Sequence, residues 1–383
     1  MIDFSLSAEQ DLIRETAKDF ANSHLLPGVM ERDDKSIFPI KEIQKLGELG
    51  FMGMMVPEKW GGSGLDTVSY TLAIEEISAV ELSTSTIMSV NNSLVCQVLM
   101  DWGNNLQKKK YLIPLASGKK LGAYSLSEPD SGSDARNMQT FAERDGDDYI
   151  INGQKMWITN ATQADFFCAL INTGDGLPHK NKSLIIIPAD TTGLKIGEKI
   201  DKLGLKSSDT APIYFDDVRV PQEYRIGLEG EGFTMQMQQF QEERIFLSAS
   251  CLVMLDESIK QTIDYCKDRK AFGGQIIDNQ SIQFKLAELQ TEIESLRSLV
   301  YRACEEFIEL GDMTYLASMA KLKSGRLLRE TADSCLQYWG GMGFTWENPL
   351  SKVYRDGRLM SIGGGTDEIM LSIICKHLGM TKK

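Results

Sequence analysis

The most regular pattern in the chain is a stripe of apolar residues, Ile282, Leu286, Leu289, Ile293, Leu296, Val300, Ala303 and Phe307, separated alternately by four and three positions. On a helix this spacing keeps one face apolar for more than three heptads, so it predicts a long helix packed against others in an antiparallel bundle. Residues 233–269 contain neither glycine nor proline, and another long helical run is expected there. Near the start of the chain Ser7, followed three residues later by Gln10, forms a capping-box pattern. Ile13, Ala17 and Phe20 then share one helical face. Further helical patterns run to about Gly118, with Gly50, Gly53, Pro57 and the glycine-rich cluster at 60–64 as loops between helices.

Between Leu121 and Val220 the period shortens from that of a helix to that of a strand. Residues 149–158 place Asn152-Gly153 between two strand-like halves, which predicts a hairpin turn at that dipeptide. Residues 183–187 and 213–215 are two more strand candidates, separated by turns rich in Asp, Gly and Pro. The expected architecture is α+β: a helical domain over 1–118, a β domain over 119–228 and a helical bundle over 229–383. The length of 383 residues agrees with two to three domains of roughly 150 each.

Composition changes this picture mainly by exclusion. With 42% hydrophobic and 25% charged residues the chain belongs with ordinary soluble globular proteins, away from the disordered range. A net charge of −13 opposes nonspecific binding of nucleic acid over the surface. Seven cysteines lie scattered without a close pair, fitting neither a disulfide framework nor a zinc knuckle and pointing to a reduced, cytoplasmic protein. Residues 1–5 lack a basic targeting region, and no later stretch approaches the apolar length of a membrane span. The three histidines, His24, His179 and His377, are far apart, so neither a metal site nor a His-based triad is expected.

Candidate chemistry lies elsewhere. There is no Gly-x-Gly-x-x-Gly after a strand and no Walker-type loop, so a bound dinucleotide would not use either device. Three segments combine hydroxyls, small residues and aromatics: Tyr-Ser-Leu-Ser-Glu-Pro-Asp-Ser-Gly-Ser-Asp at 124–134, Met-Trp-Ile-Thr-Asn at 156–160, and Gln-Tyr-Trp-Gly-Gly-Met-Gly-Phe at 337–344. Hydroxyls and backbone amides beside a large aromatic suit a flat, hydrogen-bonding ring. Each segment read alone is equally an ordinary turn.

Taken in this order, with Asp-Arg-Lys-Ala-Phe-Gly at 268–273 and the stretch from Tyr354-Arg355-Asp356 to Thr366, the motifs resemble the acyl-CoA dehydrogenase family over essentially the whole chain. The resemblance implies an N-terminal helical domain, a middle β-barrel or sandwich and a C-terminal four-helix bundle. It also implies a tightly held FAD that accepts a hydride, and work in fatty acid β-oxidation. It puts Tyr124, Leu126 and Ser127 along the flavin ring, Ser133 toward the acyl-CoA, and Trp157, Ile158 and Thr159 over the ring's other edge, with Thr366 and Glu368 completing the same subunit's site. Arg269, Phe272, Asn279, Gln280, Gln337, Gly340 and Gly341 resemble residues that reach the adenosine diphosphate part of a neighbouring subunit's FAD. A homotetramer, built as a dimer of dimers, and electron-transfer flavoprotein as the acceptor follow from the same resemblance.

The reaction implied is removal of an α-proton by a carboxylate while the β-hydrogen leaves as hydride, giving the trans-2-enoyl-CoA. Many family members carry that glutamate in an Ile-Tyr-Glu-Gly-Thr motif, but residues 362–366 here read Ile-Gly-Gly-Gly-Thr and the position is Gly364. Isovaleryl-CoA and long-chain acyl-CoA dehydrogenases resemble this chain in carrying the base just before an arginine on the first long C-terminal helix, which here is Glu243 before Arg244. The helical pattern favours the same residue. Phe240, Leu247, Cys251 and Met254 share a face that includes Glu243, and burial there raises a carboxyl pKa toward the working pH.

The alternative use of Glu243 is a partly buried ion pair with Arg244 or another cation. Glu242, about 100° round the helix, is expected to be solvated or paired with a basic residue. Gly363 and Gly364 suggest a roomy pocket, hence a branched or medium-to-long acyl chain. The Gly364 amide, with a flavin ribityl hydroxyl, resembles the pair that binds and polarises the thioester oxygen, and Gly365 beside it is a further substrate-binding candidate. Gln241 stands where relatives often have an aspartate that meets CoA, Arg244 matches the pattern, and residues 88–97 are candidates for closing the far end of the pocket. Other readings of the same scaffold are a noncatalytic flavoprotein that binds CoA thioesters and an acyl-CoA oxidase or related elimination enzyme.

Overall fold

The computed structural model describes residues 5–381; residues 1–4, part of the stretch read above as lacking a targeting region, and 382–383 lie outside it. The first part is helical, with α1 (Ala8–Phe20), α2 (Val29–Lys35), α3 (Ile40–Glu48), α4 (Thr67–Val80), α5 (Leu82–Ser89), α6 (Gln97–Trp102), α7 (Asn105–Gln107) and α8 (Ile113–Ala116). α1 begins where the sequence indicates, because Ser7 Oγ accepts from the Gln10 amide at 3.1 Å while Gln10 Oε1 accepts from the Ser7 amide at 3.0 Å. Ile13, Ala17 and Phe20 are buried on its inner face. α5 continues into a fully buried π-helical stretch, Val90–Cys96.

The middle part is one eight-stranded sheet: β1 (Gly122–Ser125), β2 (Phe141–Asp145), β3 (Asp148–Thr159), β4 (Phe166–Asn172), β5 (Lys182–Pro188), β6 (Leu194–Ile196), β7 (Thr210–Pro221) and β8 (Arg225–Ile226). The strands lie in the order β6-β7-β3-β2-β4-β5-β8, with β1 parallel to β4. β4 shows how the sheet is packed. Phe166, Cys168 and Leu170 face the helices, while Phe167, Ala169 and Ile171 join Tyr149, Ile151, Ile213 and Val218 in a core made by the sheet and its own connections. A sheet that encloses its own apolar face is curled over on itself.

The expected hairpin turn at Asn152-Gly153 is displaced. β3 runs straight through both residues, and the chain reverses at Gly146-Asp147, between the paired Asp145 and Asp148, with Gly146 at φ +61°. Asn152-Gly153 sits instead at a register shift against β7. The Asn152 side chain exchanges two hydrogen bonds of 2.9 Å with Asp217. Both dipeptides tolerate positive φ; pairing Ala142 with Ile151 keeps the apolar positions of β2 and β3 on the inner face, and that fixes the reversal upstream.

The last part contains α9 (Gly232–Ala249), α10 (Leu252–Asp268), the short strands β9 (Lys270–Ala271) and β10 (Gly274–Gln275), α11 (Gln280–Leu310), α12 (Thr314–Trp339), α13 (Pro349–Gly357) and α14 (Asp367–His377). The apolar stripe behaves as expected: Leu286, Leu289, Ile293, Leu296, Val300 and Ala303 are buried in α11, and Ile282 and Phe307 are partly so. The run 233–269 is two helices rather than one. At the break Ser250 Oγ and Cys251 Sγ both reach back to the Leu247 carbonyl, at 2.7 and 3.6 Å, local bonds that compete with the helix ladder without glycine or proline.

A buried polar junction ties the three parts together near the turn that precedes α14. Arg32 pairs with Glu81 at 2.8 Å and Ser207 donates to the same carboxylate at 2.9 Å. Arg355 pairs with Asp33 at 2.6 Å, and Asp356 accepts from the Leu205 amide at 2.6 Å. Among the described residues no helix is long and apolar enough to cross a membrane.

Candidate active site

Three elements bring unlike residues to one place: α9 supplies Glu243 and Arg244, α12 supplies Lys321, and the turn before α14 supplies Gly364, Gly365 and Thr366. Glu243 is half-buried as a residue, but its Oε2 is shut off from solvent and has no hydrogen-bond partner. Burial pushes its carboxyl up to about 7, against the opposing pull of Arg244 and Lys321. Arg244 is buried and its Nε donates to the Gly364 carbonyl at 3.3 Å. The Lys321 ammonium donates to the Gly365 carbonyl, and burial pushes its pKa down to about 8. Gly364 and Gly365 lie at φ +64° and +102°, a left-handed turn suited to glycine. Thr366 caps α14, its Oγ1 accepting from the Ile369 amide at 3.3 Å. A carboxyl that is partly ionised at neutral pH, with an open acceptor atom and two cations nearby, is equipped to take a proton.

Two expectations fail here. Glu242 is neither solvated nor ion-paired among the described residues: it is only 5% exposed, and burial with help from Asp101 pushes its carboxyl up to about 8. The reason is that α9 is covered on several flanks, burying Gln236, Gln239, Glu242, Ile245 and Phe246 alike, so a 100° offset from Glu243 does not reach water. The space expected at Gly364 is also taken. A Cβ there would lie 2.6 Å from Leu247 Cδ1, so Leu247, one turn beyond Glu243, fills the volume of the missing side chain. At Gly363 a Cβ would meet Leu359 at 3.6 Å, an ordinary contact that a side chain could make without displacement.

The first two motif segments meet across the sheet. Tyr124 is buried in β1, and its hydroxyl, like that of Ser125, has no partner. Leu126 and Ser127 follow, half-buried, and the Ser127 carbonyl accepts from the Met156 amide at 2.8 Å. Beneath them Lys155, fully buried, bonds Glu128 at 2.8 Å and the Leu126 carbonyl at 3.1 Å. Trp157 sits at a register shift with φ +64° and a 58% exposed ring, while Ile158 points the other way into the sheet core and offers only its backbone. Thr159 is half-buried and Ser133 exposed. An open indole beside hydroxyls, with unpartnered buried hydroxyls below, fits a planar ring with polar edges.

A second group is wholly exposed: Arg269, Asn279, Gln280, Gln337, Gly340 and Gly341, together with Phe272, whose ring touches nothing and whose φ is +54°. Tyr265 stacks on Trp339 at 4.2 Å, which brings the end of α10 to the Gly340 turn. No hydrogen bond or ion pair among the described residues joins this group to Glu243. Glu368 is exposed on the first turn of α14. Gln241, expected to face CoA, spends its Oε1 on the Met313 amide at 2.9 Å, at the start of α12. Residues 88–97 are buried up to Cys96, and Gln239 Nε2 from α9 donates to the Ser93 carbonyl at 2.9 Å.

Lys321 was missed from sequence, although the signal that marked Glu243 was there: it lies among Ala317, Ala320, Ser324 and Leu328 on the buried face of α12. Leu247 and Lys155 have no comparable signal, since an apolar residue on an apolar face and a lysine in a strand are both ordinary.

Comparison with known proteins covers nearly the whole length. The chain matches the acyl-CoA dehydrogenase N-terminal domain over residues 7–119, the middle domain over 123–218 and the C-terminal domain over 230–379. It is 38% identical over 373 residues to the mitochondrial short-chain specific acyl-CoA dehydrogenase of Rattus norvegicus, covering 97% of this chain and 90% of that one. Butyryl-CoA dehydrogenase from Megasphaera elsdenii superposes with a TM-score of 0.95 at 35% identity, over 98% of this chain and 100% of that one. A solved chain described under the electron transferring flavoprotein of Acidaminococcus fermentans gives 0.96 at 37%, over 98% and 99%.

Proposed function

The chain belongs to the acyl-CoA dehydrogenase family, and from that premise we propose that Glu243 is the base that removes the α-proton of an acyl-CoA thioester. The protein is an FAD-dependent oxidoreductase of fatty acid β-oxidation. The bound flavin supplies the hydride acceptor, and the chain's own residues do the rest. Tyr124, Leu126, Ser127, Trp157, the Ile158 backbone and Thr159 would seat its ring, with Thr366 and Glu368 at the near edge. Arg269, Phe272, Asn279, Gln280, Gln337, Gly340 and Gly341 would hold the diphosphate part across a subunit boundary; their exposure in a single chain supports this. Ser133 and Gly364 are the groups offered to the thioester, with Gly365 fixed beside them. Arg244 serves by holding the Gly364 carbonyl.

The observation that carries the reading is the buried Oε2 of Glu243, an acceptor without a partner on a carboxyl under the influence of Arg244 and Lys321. The space filled by Leu247 at Gly364 weakens the case for branched or long chains, and the relatives named short-chain specific support the opposite reading, a short acyl group. Electron-transfer flavoprotein is the proposed acceptor, and seven free thiols support a cytoplasmic location. In the test, yellow protein is mixed anaerobically with butyryl-, isovaleryl-, octanoyl- and palmitoyl-CoA. Butyryl-CoA should bleach the flavin fastest, and Glu243→Gln should keep FAD yet lose more than about 99% of the rate, a general-base loss of at least 10²-fold. Full bleaching by Glu243→Gln refutes the base, fastest bleaching by palmitoyl-CoA refutes the short chain, and a spectral shift without reduction refutes catalysis.

A further inference from the structure

Lys321 is fully buried on α12, yet it makes no ion pair among the described residues and bonds only the Gly365 carbonyl. A neutral donor would satisfy a carbonyl at less cost, because an ammonium without a counter-charge is expensive to bury. Asp367 on α14 is the strongest carboxylate influence on it, but the two form no ion pair: Asp367 Oδ2 is shared by Arg326 at 3.3 Å and Arg329 at 3.5 Å. Glu243 is the other carboxylate that acts on Lys321, whose Cε lies 3.9 Å from where a Gly364 Cβ would stand.

We propose that Lys321 is a positioning residue for proton removal: it clamps the 363–365 turn through the Gly365 carbonyl and sets a positive charge against the Glu243 carboxylate. The inference rests on Glu243 being the base. Arg244 supplies the other positive charge on Glu243 while its Nε donates to the Gly364 carbonyl at 3.3 Å and its guanidinium lies 5.8 Å from the Phe240 ring centre. The groups that face the pair are Arg244 from α9, Tyr124 from β1, Cys251 from the break between α9 and α10, and Asp367 from α14. Of these only Arg244 and Lys321 favour the ionised form of Glu243, which burial opposes.

The test uses FAD-loaded protein without substrate. Infrared pH-difference spectra report the protonated-carboxyl band that Glu243→Gln abolishes, and its midpoint gives the titration of Glu243. In Lys321→Gln, which keeps a donor but no charge, and in Lys321→Met, the midpoint should rise by about one pH unit, equivalent to a tenfold change in the ionisation constant. Lys321→Arg should restore it. The acid limb of anaerobic bleaching should move the same way, so that Lys321→Gln is about tenfold slow at pH 6 and close to wild type at pH 9. An unchanged midpoint in folded, yellow Lys321→Gln and Lys321→Met overturns the proposal, and so does failure of all three variants to fold. If the midpoint shifts but Glu243→Gln still bleaches, the base assignment fails and the electrostatic coupling stands.

Discussion

At the scale of single residues, two adjacent glutamates show how burial alone separates roles. Glu243 has two cations nearby, Arg244 and Lys321; Glu242 has none, and desolvation with Asp101 holds its proton. Their effect on stability follows from the sign of the shift. A carboxyl raised from 4.5 to about 8 binds its proton more tightly in the folded chain than in the unfolded one, so its contribution is lost as pH rises from about 4.5 through 8. Glu242→Gln removes that loss. Thermal melts should show Glu242→Gln gaining on the parent protein between pH 6 and pH 8, with bleaching retained. A melting temperature that falls at pH 8 would mean that Glu242 is ionised and has a partner. The neighbouring carboxylate on the apolar stripe was legible from the sequence; the burial of Glu242 was not, because helical periodicity describes one buried face and α9 has several.

At the scale of elements, a buried ion pair adds to the strand ladder in holding the segment proposed to face the flavin. Lys155 on β3 holds both Glu128 and the Leu126 carbonyl, and Glu128 also accepts from the Thr140 amide at 3.0 Å. Lys155→Met leaves a buried carboxylate short of its cation, a change expected to cost about 3–5 kcal/mol. Urea unfolding should show that loss together with weaker FAD retention; a loss below about 1 kcal/mol would mean that Glu128 finds water instead. The same strand explains why the hairpin was misplaced: Asn-Gly and Gly-Asp both permit a tight turn, and the choice fell to pairing of Ala142 with Ile151. Local turn chemistry nominates positions and the sheet register decides between them.

At the scale of the whole molecule, the exposed Phe272 and the bare Gly340–Gly341 turn are unfinished surfaces in one chain. A homotetramer with cofactor contacts between subunits gives them a use. Sedimentation should return a mass about four times 42.8 kDa, and Phe272→Asp should release FAD on dilution while each chain stays folded. A monomer that keeps its flavin would refute the shared site. Within one chain, the junction of Arg32, Glu81, Ser207, Asp33, Arg355 and Asp356 joins residues far apart in sequence and from all three parts of the fold.

The sequence by itself determined the order of helical, sheet and helical parts, the capped start of α1 and the α11 stripe, and it nominated Glu243, because each rests on periodicity or on a motif read locally. Tertiary structure alone decided that Leu247 fills the place of a side chain at Gly364, that Gln241 caps α12 rather than facing outward, and that Lys321 stands beside Glu243. Those facts depend on which faces of separate elements meet. No pattern along a single strand or helix carries the volume, the dielectric or the charge that its neighbours bring.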